Sequence, residues 1–355
     1  MSGMTFSIVI PAHNGERYLY DTITSAVRQT RQANEIIAVD DASSDRTAEI
    51  AQLAQWGGRV KYYYNGVSTG LADAWNRAVA LSSCDWVTIL HQDDLLHPEY
   101  FMHIERAVLR YPQIRHFFAA CNYIDAHGRV ITMPPKPHSL EPALYSGKQY
   151  AHDYLQGIVT GKHIHRCPGV TTSRGLLLGE CNYRIDAGQL ADDDFFLRIG
   201  AFTDVVGISY PLASFRHHPD SATNRGDELS LRLARAYVFQ SRYYKESNTL
   251  LDNSEVLAIN RQTARFVNLL LFHALLLRKT EWIKEAFMLR REFDEMLPSF
   301  MELNSPLWAR QMWRVTSPES RNNREATFYV ISLNAIIKSR DFLKTVLKDE
   351  PSRDK

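Results

Sequence analysis

Four acidic clusters hold most of the chemistry this chain could perform: Asp40-Asp41, Asp93-Asp94, Asp192-Asp193-Asp194, and Asp220 behind Arg216-His217-His218-Pro219. Carboxylates that converge without a basic cluster repel one another unless a cation or a hydrogen-bonding ligand shares the site. That arrangement suits a nucleoside diphosphate carried with Mg²⁺ or Mn²⁺, one acid reading base or ribose and another holding the metal. The bland alternative is a set of solvated turns capping helices. On residue type alone that alternative is the better reading of Asp93-Asp94 and of Asp192-Asp193-Asp194, and Asp45 reads as a capping turn in any case. A dinucleotide site would need GxGxxG after the first strand, where this chain has Ala12-His13-Asn14-Gly15-Glu16-Arg17. The glycine-rich GxxxxGK[ST] loop is also absent, so phosphates would be held by metal and side chains.

The elements that must place these acids are legible from periodicity. Five apolar or β-branched residues, Trp86 to Leu90, run into Asp93-Asp94, as a buried strand delivering two acids to the carboxyl edge of a sheet does. Phe6 to Pro11, Glu35 to Asp40 and Val60 to Tyr64 read as strands. Glu16 to Gln29, Arg46 to Leu53 and Leu71 to Leu81 read as helices between them. The alternation predicts right-handed crossovers and a parallel sheet, with Asp40-Asp41 and Asp93-Asp94 on neighbouring strands. Beyond it, Ile114 to Ile124 and Val130 to Met133 flank the turn signal Asp125-Ala126-His127-Gly128, and Pro134 to Pro137 breaks regular structure. Residues 162–182 lack a clear period and read as a substrate-facing loop region. Asp192 to Ile199 reads as a helix, and Val205 to Ser209 and Leu212 to Arg216 as two short strands. After about Asp227 the pattern is helical, over 228–247, 254–277, 280–296 and 325–347.

Lys+Arg (41) nearly balances Asp+Glu (40) across the 355 residues, so no net field draws the chain to nucleic acid. The four cysteines show no CxxC spacing and are expected reduced. No signal peptide is expected from the N-terminus, and no apolar run is long enough to span a bilayer. A cytoplasmic protein, or one touching the inner face of the cell membrane, is expected.

Six motifs in order carry a family resemblance: Ile10-Pro11-Ala12-His13-Asn14, Val39-Asp40-Asp41-Ala42-Ser43-Ser44-Asp45, Gly70-Leu71-Ala72-Asp73-Ala74-Trp75-Asn76, Gln92-Asp93-Asp94, Asp192-x-x-Phe195-Phe196-Leu197-Arg198 and Arg216-x-His218-x-x-Ser221. The chain resembles glycosyltransferase family 2 over about residues 5–222. The resemblance implies an α/β fold of GT-A type: a Rossmann-like mixed sheet flanked by helices, followed by an all-helical C-terminal extension. The catalytic domain would span 1–225, with a nucleotide-binding half to about 125 and an acceptor half over 126–225, and the extension 226–355. It also implies an inverting transferase using a nucleotide-diphosphate sugar, typically of uracil, and a divalent metal, Mn²⁺ or Mg²⁺. Pro11 and Ala12 would wrap the nucleotide and Asp41 would bond the base, with further nucleotide-sugar contacts at Asn14 and Asn76. Asp93 and Asp94 match the metal-binding acids, one toward ribose and one toward metal, in an order the sequence leaves open. Asp192 matches the catalytic base, with Asp193 as the alternative. Arg216 and His218 match a loop closing over the diphosphate, His218 with the metal in reach.

Three positions depart from the family pattern: His91 where many members have an acid, Trp75 in place of an arginine, and Ala191 in place of an acid. They are the support for a second reading, a non-catalytic GT-A binding or scaffold module. A sugar-nucleotide pyrophosphorylase is a third, disfavoured because no glycine- and arginine-rich loop follows the first strand. The expected partners are a nucleotide-sugar donor and a glycan or lipid-linked saccharide acceptor, as in bacterial surface polysaccharide synthesis. The helical tail is a candidate homodimer surface. The expected anion chemistry gives Asp192, at a helix N-terminus, a carboxylate held ionised and weakly basic by the helix dipole. His163-x-His165-x-Cys167 lacks the fourth ligand of a zinc site. Leu307, Trp308, Met312 and Trp313 with Arg310 and Arg314 read either as packing or as a membrane-interface helix.

Overall fold

The computed structural model describes residues 3–134, 138–160, 164–219, 221, 229–247, 250–277, 279–298, 300–305, 309, 310 and 313. Residues Pro135 to Pro137, His163, Asp220, Leu307, Trp308, Met312 and Arg314, and the helix expected over 325–347, lie outside them.

The first strand, β1 (Phe6–Ala12), is buried along its whole length, which is why it reads as an unbroken apolar run rather than an alternating one. Helix α1 (Leu19–Val27) follows, burying Leu19, Thr22, Ile23 and Ala26 at helical spacing. The next elements are β2 (Glu35–Asp41), α2 (Thr47–Ala51), β3 (Val60–Asn65), α3 (Leu71–Leu81), β4 (Trp86–Ile89), β5 (Leu95–Leu96) and α4 (Tyr100–Arg110). Then come β6 (His116–Ile124), β7 (Val130–Thr132), β8 (Ala143–Tyr145), α5 (Gly147–Thr160), β9 (Val170–Ser173), α6 (Arg174–Leu178), α7 (Ala191–Ile199) and β10 (Val205–Arg216).

The ten strands of the described residues form one mixed sheet in the order β3-β2-β1-β4-β9-β6-β10-β5, with β7 beside β6 and β8 beside β10. The first four are parallel, as the alternation predicts. β9 runs antiparallel between β4 and β6. Three expectations are corrected here. β2 and β4 are not neighbours, because β1 lies between them. Residues 162–182 are not all loop, since they contain the central strand β9. The two short strands expected over 205–216 are one strand, whose register with β6 shifts around Pro211. Proline cannot donate to the ladder and is tolerated where a bulge interrupts it.

Close contacts divide the chain into two units, residues 1–226 with 246–256, and residues 227–245 with 257–355. The second is helical: α8 (Leu229–Ser247), α9 (Asn253–Leu276), α10 (Thr280–Met296) and α11 (Phe300–Asn304). Its core gathers Val238, Val267, Leu271, Ala286, Phe293 and Trp313. Trp313 donates from its indole to Asn268 at 2.8 Å and meets Phe287 edge-on. At 3 % exposed it is core, which removes it from the membrane-interface reading. No helix among the described residues is long and apolar enough to cross a membrane.

Candidate active site

Parallel pairing puts the carboxyl ends of β1, β2 and β4 at one edge of the sheet, and a cavity opens there. Pro11, Ala12 and His13 line it from β1, Asp41 from β2, and His91, Gln92 and Asp93 from the loop after β4. Leu71, Ala74 and Trp75 come from α3, Asp192 from α7, and Phe215, His218 and Ser221 from the end of β10 and beyond. Of the acids singled out in sequence, the fold therefore brings Asp41, Asp93 and Asp192 into one space.

Asp41 is fixed by its own loop. Asn65 and Ser68 donate to its carboxylate at 3.1 and 2.8 Å, and the Thr69 amide lies within 3.2 Å of both oxygens. Burial works to raise its pKa, but these hydrogen bonds prevail and hold the carboxyl below its ordinary range. Asp40 points elsewhere, accepting from the Tyr62 hydroxyl and the Ser43 amide. It belongs to the turn, as Asp45 does by accepting from the Thr47 amide.

The pair after β4 is split by burial. Asp93 faces the cavity, and His218 Nε2 lies 2.9 Å from its Oδ2. Asp94 turns inward at 1 % exposed and accepts the Arg216 amide at 2.8 Å. Burial first, then the charge of Asp93, pushes its pKa well up, and its Oδ2 accepts no hydrogen bond among the described residues but faces His91 Nδ1 at 3.6 Å. Arg216 lies behind the cavity wall. Its side chain is 2 % exposed, donates from Nε to the Asp93 carbonyl at 2.7 Å and lies over the Tyr18 ring. It does not line the cavity; it staples the Asp93 loop to the end of β10.

The triple acid on α7 separates three ways. Asp192 lines the cavity, Asp193 accepts from the Tyr154 hydroxyl at 2.8 Å, and Asp194 pairs with Arg198 at 2.8 Å. Burial, then the charge of Asp193, lifts the Asp192 carboxyl to about 7 against the pull of Arg166. The expectation of a weakly basic carboxylate is thereby reversed. Desolvation beside a like charge outweighs the helix dipole, whose effect on an exposed group is a fraction of a pKa unit.

Asn14 and Asn76 are spent on the scaffold. Asn14, at φ 51°, accepts the Ser44 amide. Asn76 clamps the Tyr183 backbone in both directions, donating at 2.7 Å and accepting at 3.1 Å. That clamp belongs to an aromatic bridge. Phe195 stacks on Tyr183 (4.4 Å), Tyr183 meets Trp75 edge-on (5.0 Å), and Trp75 stacks on His91 at 4.9 Å and 19°. The bridge ties α7, which carries Asp192, to the loop that carries Asp93.

Sequence reading missed Gln92 as a site-shaping residue, although it quoted the residue within a motif. Gln92 accepts the His13 amide at 2.7 Å and donates back to the His13 carbonyl at 3.1 Å. A Cβ at Gly15 would lie 2.5 Å from Gln92 Oε1, so a larger residue there would have to displace the Gln92 amide from His13. His165 is buried, 2.7 Å from the Tyr150 hydroxyl, and no group of three metal-ligating side chains occurs among the described residues.

Comparison with known proteins bears on family and fold. Residues 7–149 match the family described as Glycosyl transferase family 2. An uncharacterized glycosyltransferase of Rickettsia typhi is 31 % identical over 157 residues, 42 % of this chain and 48 % of that protein. Glycosyltransferase GlyG of Streptococcus pneumoniae is 32 % identical over 91 residues, 25 % of this chain and 30 % of that protein. The chain thus spans about half or less of the length of these relatives. Among solved structures, S. aureus TarS 1–349 superposes with a TM-score of 0.57 at 15 % identity, covering 85 % of this chain and 83 % of that one. The same TarS fragment in complex with UDP-GlcNAc matches equally, at 0.57. The mixed sheet with its flanking helices is therefore the GT-A fold.

Proposed function

From the match of residues 7–149 to glycosyl transferase family 2 we propose that the chain transfers a sugar from a nucleoside-diphosphate sugar to an acceptor hydroxyl with inversion. The observation that carries this reading is the convergence of Asp41, Asp93 and Asp192 on one cavity, in separate environments suited to separate tasks.

Asp41, at the carboxyl end of β2, is ionised and fixed, as a group that reads a nucleobase must be. TarS has been crystallised with UDP and with UDP-GlcNAc, which makes UDP the first nucleotide to test here. A diphosphate entering this space meets three aspartates and, among the described lining residues, no lysine or arginine. A divalent cation would offset that charge. Asp93 and His218 would hold it, with diphosphate and water completing the shell in the manner usual for Mg²⁺ and Mn²⁺. It would supply charge neutralisation for the leaving diphosphate. Asp94, buried behind, anchors the loop.

Asp192 is the base of this proposal. Its carboxylate takes the proton from the acceptor hydroxyl as that oxygen forms its bond to the anomeric carbon, and the bond from that carbon to the diphosphate breaks on the opposite face. A carboxyl titrating at about 7 is half ionised at neutral pH and basic enough to accept the proton. Asp193, held by Tyr154, supplies the neighbouring negative charge rather than a second base. The acceptor class, a glycan or lipid-linked saccharide of bacterial surface polysaccharide synthesis, rests on the family resemblance.

The test is binding and turnover together. With Mn²⁺ the chain should bind UDP and slowly hydrolyse a UDP-sugar, and Asp93→Ala should lose the metal-dependent part of the binding. UDP binding of unchanged strength without a divalent ion, or in Asp93→Ala, would overturn the site.

A further inference from the structure

The cavity wall between Asp93 and Asp192 is aromatic and carries no lysine or arginine among the described residues. His91, two positions before Asp93, lines it and is backed by the Trp75 ring at 4.9 Å. Trp75 is 2 % exposed and braced edge-on by Tyr183, so the stack cannot swing aside to admit a charged group. These are the two positions at which the family pattern carries an arginine and an acid. The two rings pack face to face, so the departures at these positions form one aromatic unit. The cation acting on Asp192 and Asp193, Arg166, does not line the cavity. Its guanidinium lies over the Tyr123 and Phe215 rings, and its Nε donates to the Tyr123 hydroxyl at 2.8 Å.

We propose that this stack forms the donor-sugar wall and restricts the donor to sugars without a carboxylate, so that neutral hexoses and N-acetylhexosamines enter and uronic acids are excluded. The inference rests on the reading of the cavity as a nucleotide-sugar site. A sugar bound between the diphosphate held at Asp93 and the base Asp192 has one carboxylate at each end. A uronate would bring a further negative charge, beyond what a cation at Asp93 and His218 offsets, against an aromatic face that offers no lysine or arginine among the described lining residues, and like charges repel strongly where water is displaced. A neutral sugar instead presents C–H bonds to the ring faces and hydroxyls to Asp93 and Asp192.

The experiment is competition of UDP-glucose, UDP-GlcNAc and UDP-glucuronate against a fluorescent UDP probe on the full chain, with Mn²⁺. At least one neutral donor should bind roughly tenfold or more tightly than UDP-glucuronate. In His91→Arg, which puts a cation in the wall, that ratio should shrink severalfold, whereas Trp75→Phe, which keeps the wall aromatic, should preserve it. UDP-glucuronate binding as well as the best neutral donor overturns the inference while leaving the nucleotide-sugar reading intact, and this panel needs no variant to fold. An unchanged ratio in folded His91→Arg also overturns it. If the probe itself fails to bind, the nucleotide-sugar reading falls, and this inference with it.

Discussion

The acid Asp192 owes its character to what surrounds it. Burial and the charge of Asp193 raise its carboxyl from 3.8 to about 7, so its proton is lost in the working range of pH rather than far below it. In the proposed role of base the ionised form is required, so transfer should rise about tenfold per pH unit below 7 and flatten above it. UDP release followed from pH 5 to 9 measures that limb, and a rate flat down to pH 5 would remove Asp192 as the base. For stability the sign is opposite. Between 3.8 and about 7 the folded chain keeps a proton that the unfolded chain has released, so stability falls as pH rises through that window. Above it the penalty persists in full. Asp192→Asn should therefore melt higher than the parent chain at pH 8, by on the order of 1 kcal/mol, and gain little at pH 4. The same variant should lose about 10²- to 10⁴-fold in transfer while still binding UDP. A substitution that stabilises and inactivates together is the mark of a strained functional group.

At the scale of elements, the two halves of the site are held by packing that leaves almost no room. Helices α5 and α7 meet where a Cβ on Gly147 would lie 1.9 Å from the Gly200 carbonyl oxygen. Gly147→Ala must push α7, and with it Asp192, away from its place. It should cost about 1–3 kcal/mol or more, read from urea midpoints, and lower transfer by more than nucleotide binding. What sequence made legible follows the same physics. β1, β2 and β4 read clearly because their faces are covered by apolar side chains, and the order of strands and helices alone places the acids at their ends on one edge. β9 was illegible because its central residues are Thr171 and Thr172, which satisfy their hydroxyls inside the protein. Thr171 bonds Thr88 and Tyr100 at 2.6 and 2.9 Å, and Thr172 bonds His116 at 2.8 Å. A buried strand built on hydroxyl pairs has no hydrophobic period to detect. His91 and Trp75 looked like separate defects for a related reason, since sixteen positions of chain separate two rings that the fold stacks on each other. Burial alone also pushes the His116 imidazole down to about 3. Below 6.5 the unfolded chain takes up a proton that the folded chain refuses, so stability should fall as pH drops from 6.5 toward 3. Replacing His116 by Gln, which retains a partner for Thr172, should flatten the pH dependence of the urea midpoint in that window.

For the whole molecule, the chain does not divide at one point. Sequence composition places a boundary near residue 226, yet residues 246–256 cluster with the first unit rather than with the helices around them. The reason lies in how that segment is tied down. Glu255 is 5 % exposed and accepts from His152 of α5 at 2.5 Å, while Asp252 takes the amides of Ser254 and Glu255 and fixes the turn into α9. A carboxylate this well buried would not be placed beside α5 by chance packing of a tail, because its desolvation must be offset by the partner it meets. A chain stopped after residue 226 keeps every described cavity-lining residue but loses this segment. It should still bind UDP with Mn²⁺, though with a melting temperature lower by at least about 2–4 °C, the shift that 1 kcal/mol produces in a unit of this size. Glu255→Gln in the full chain separates the two causes of that loss. A drop matching the truncation assigns it to the His152 contact, and no drop assigns it to the covering chain itself. Equal melting of the truncated and full chains would instead mean that the first unit is complete without the returning segment.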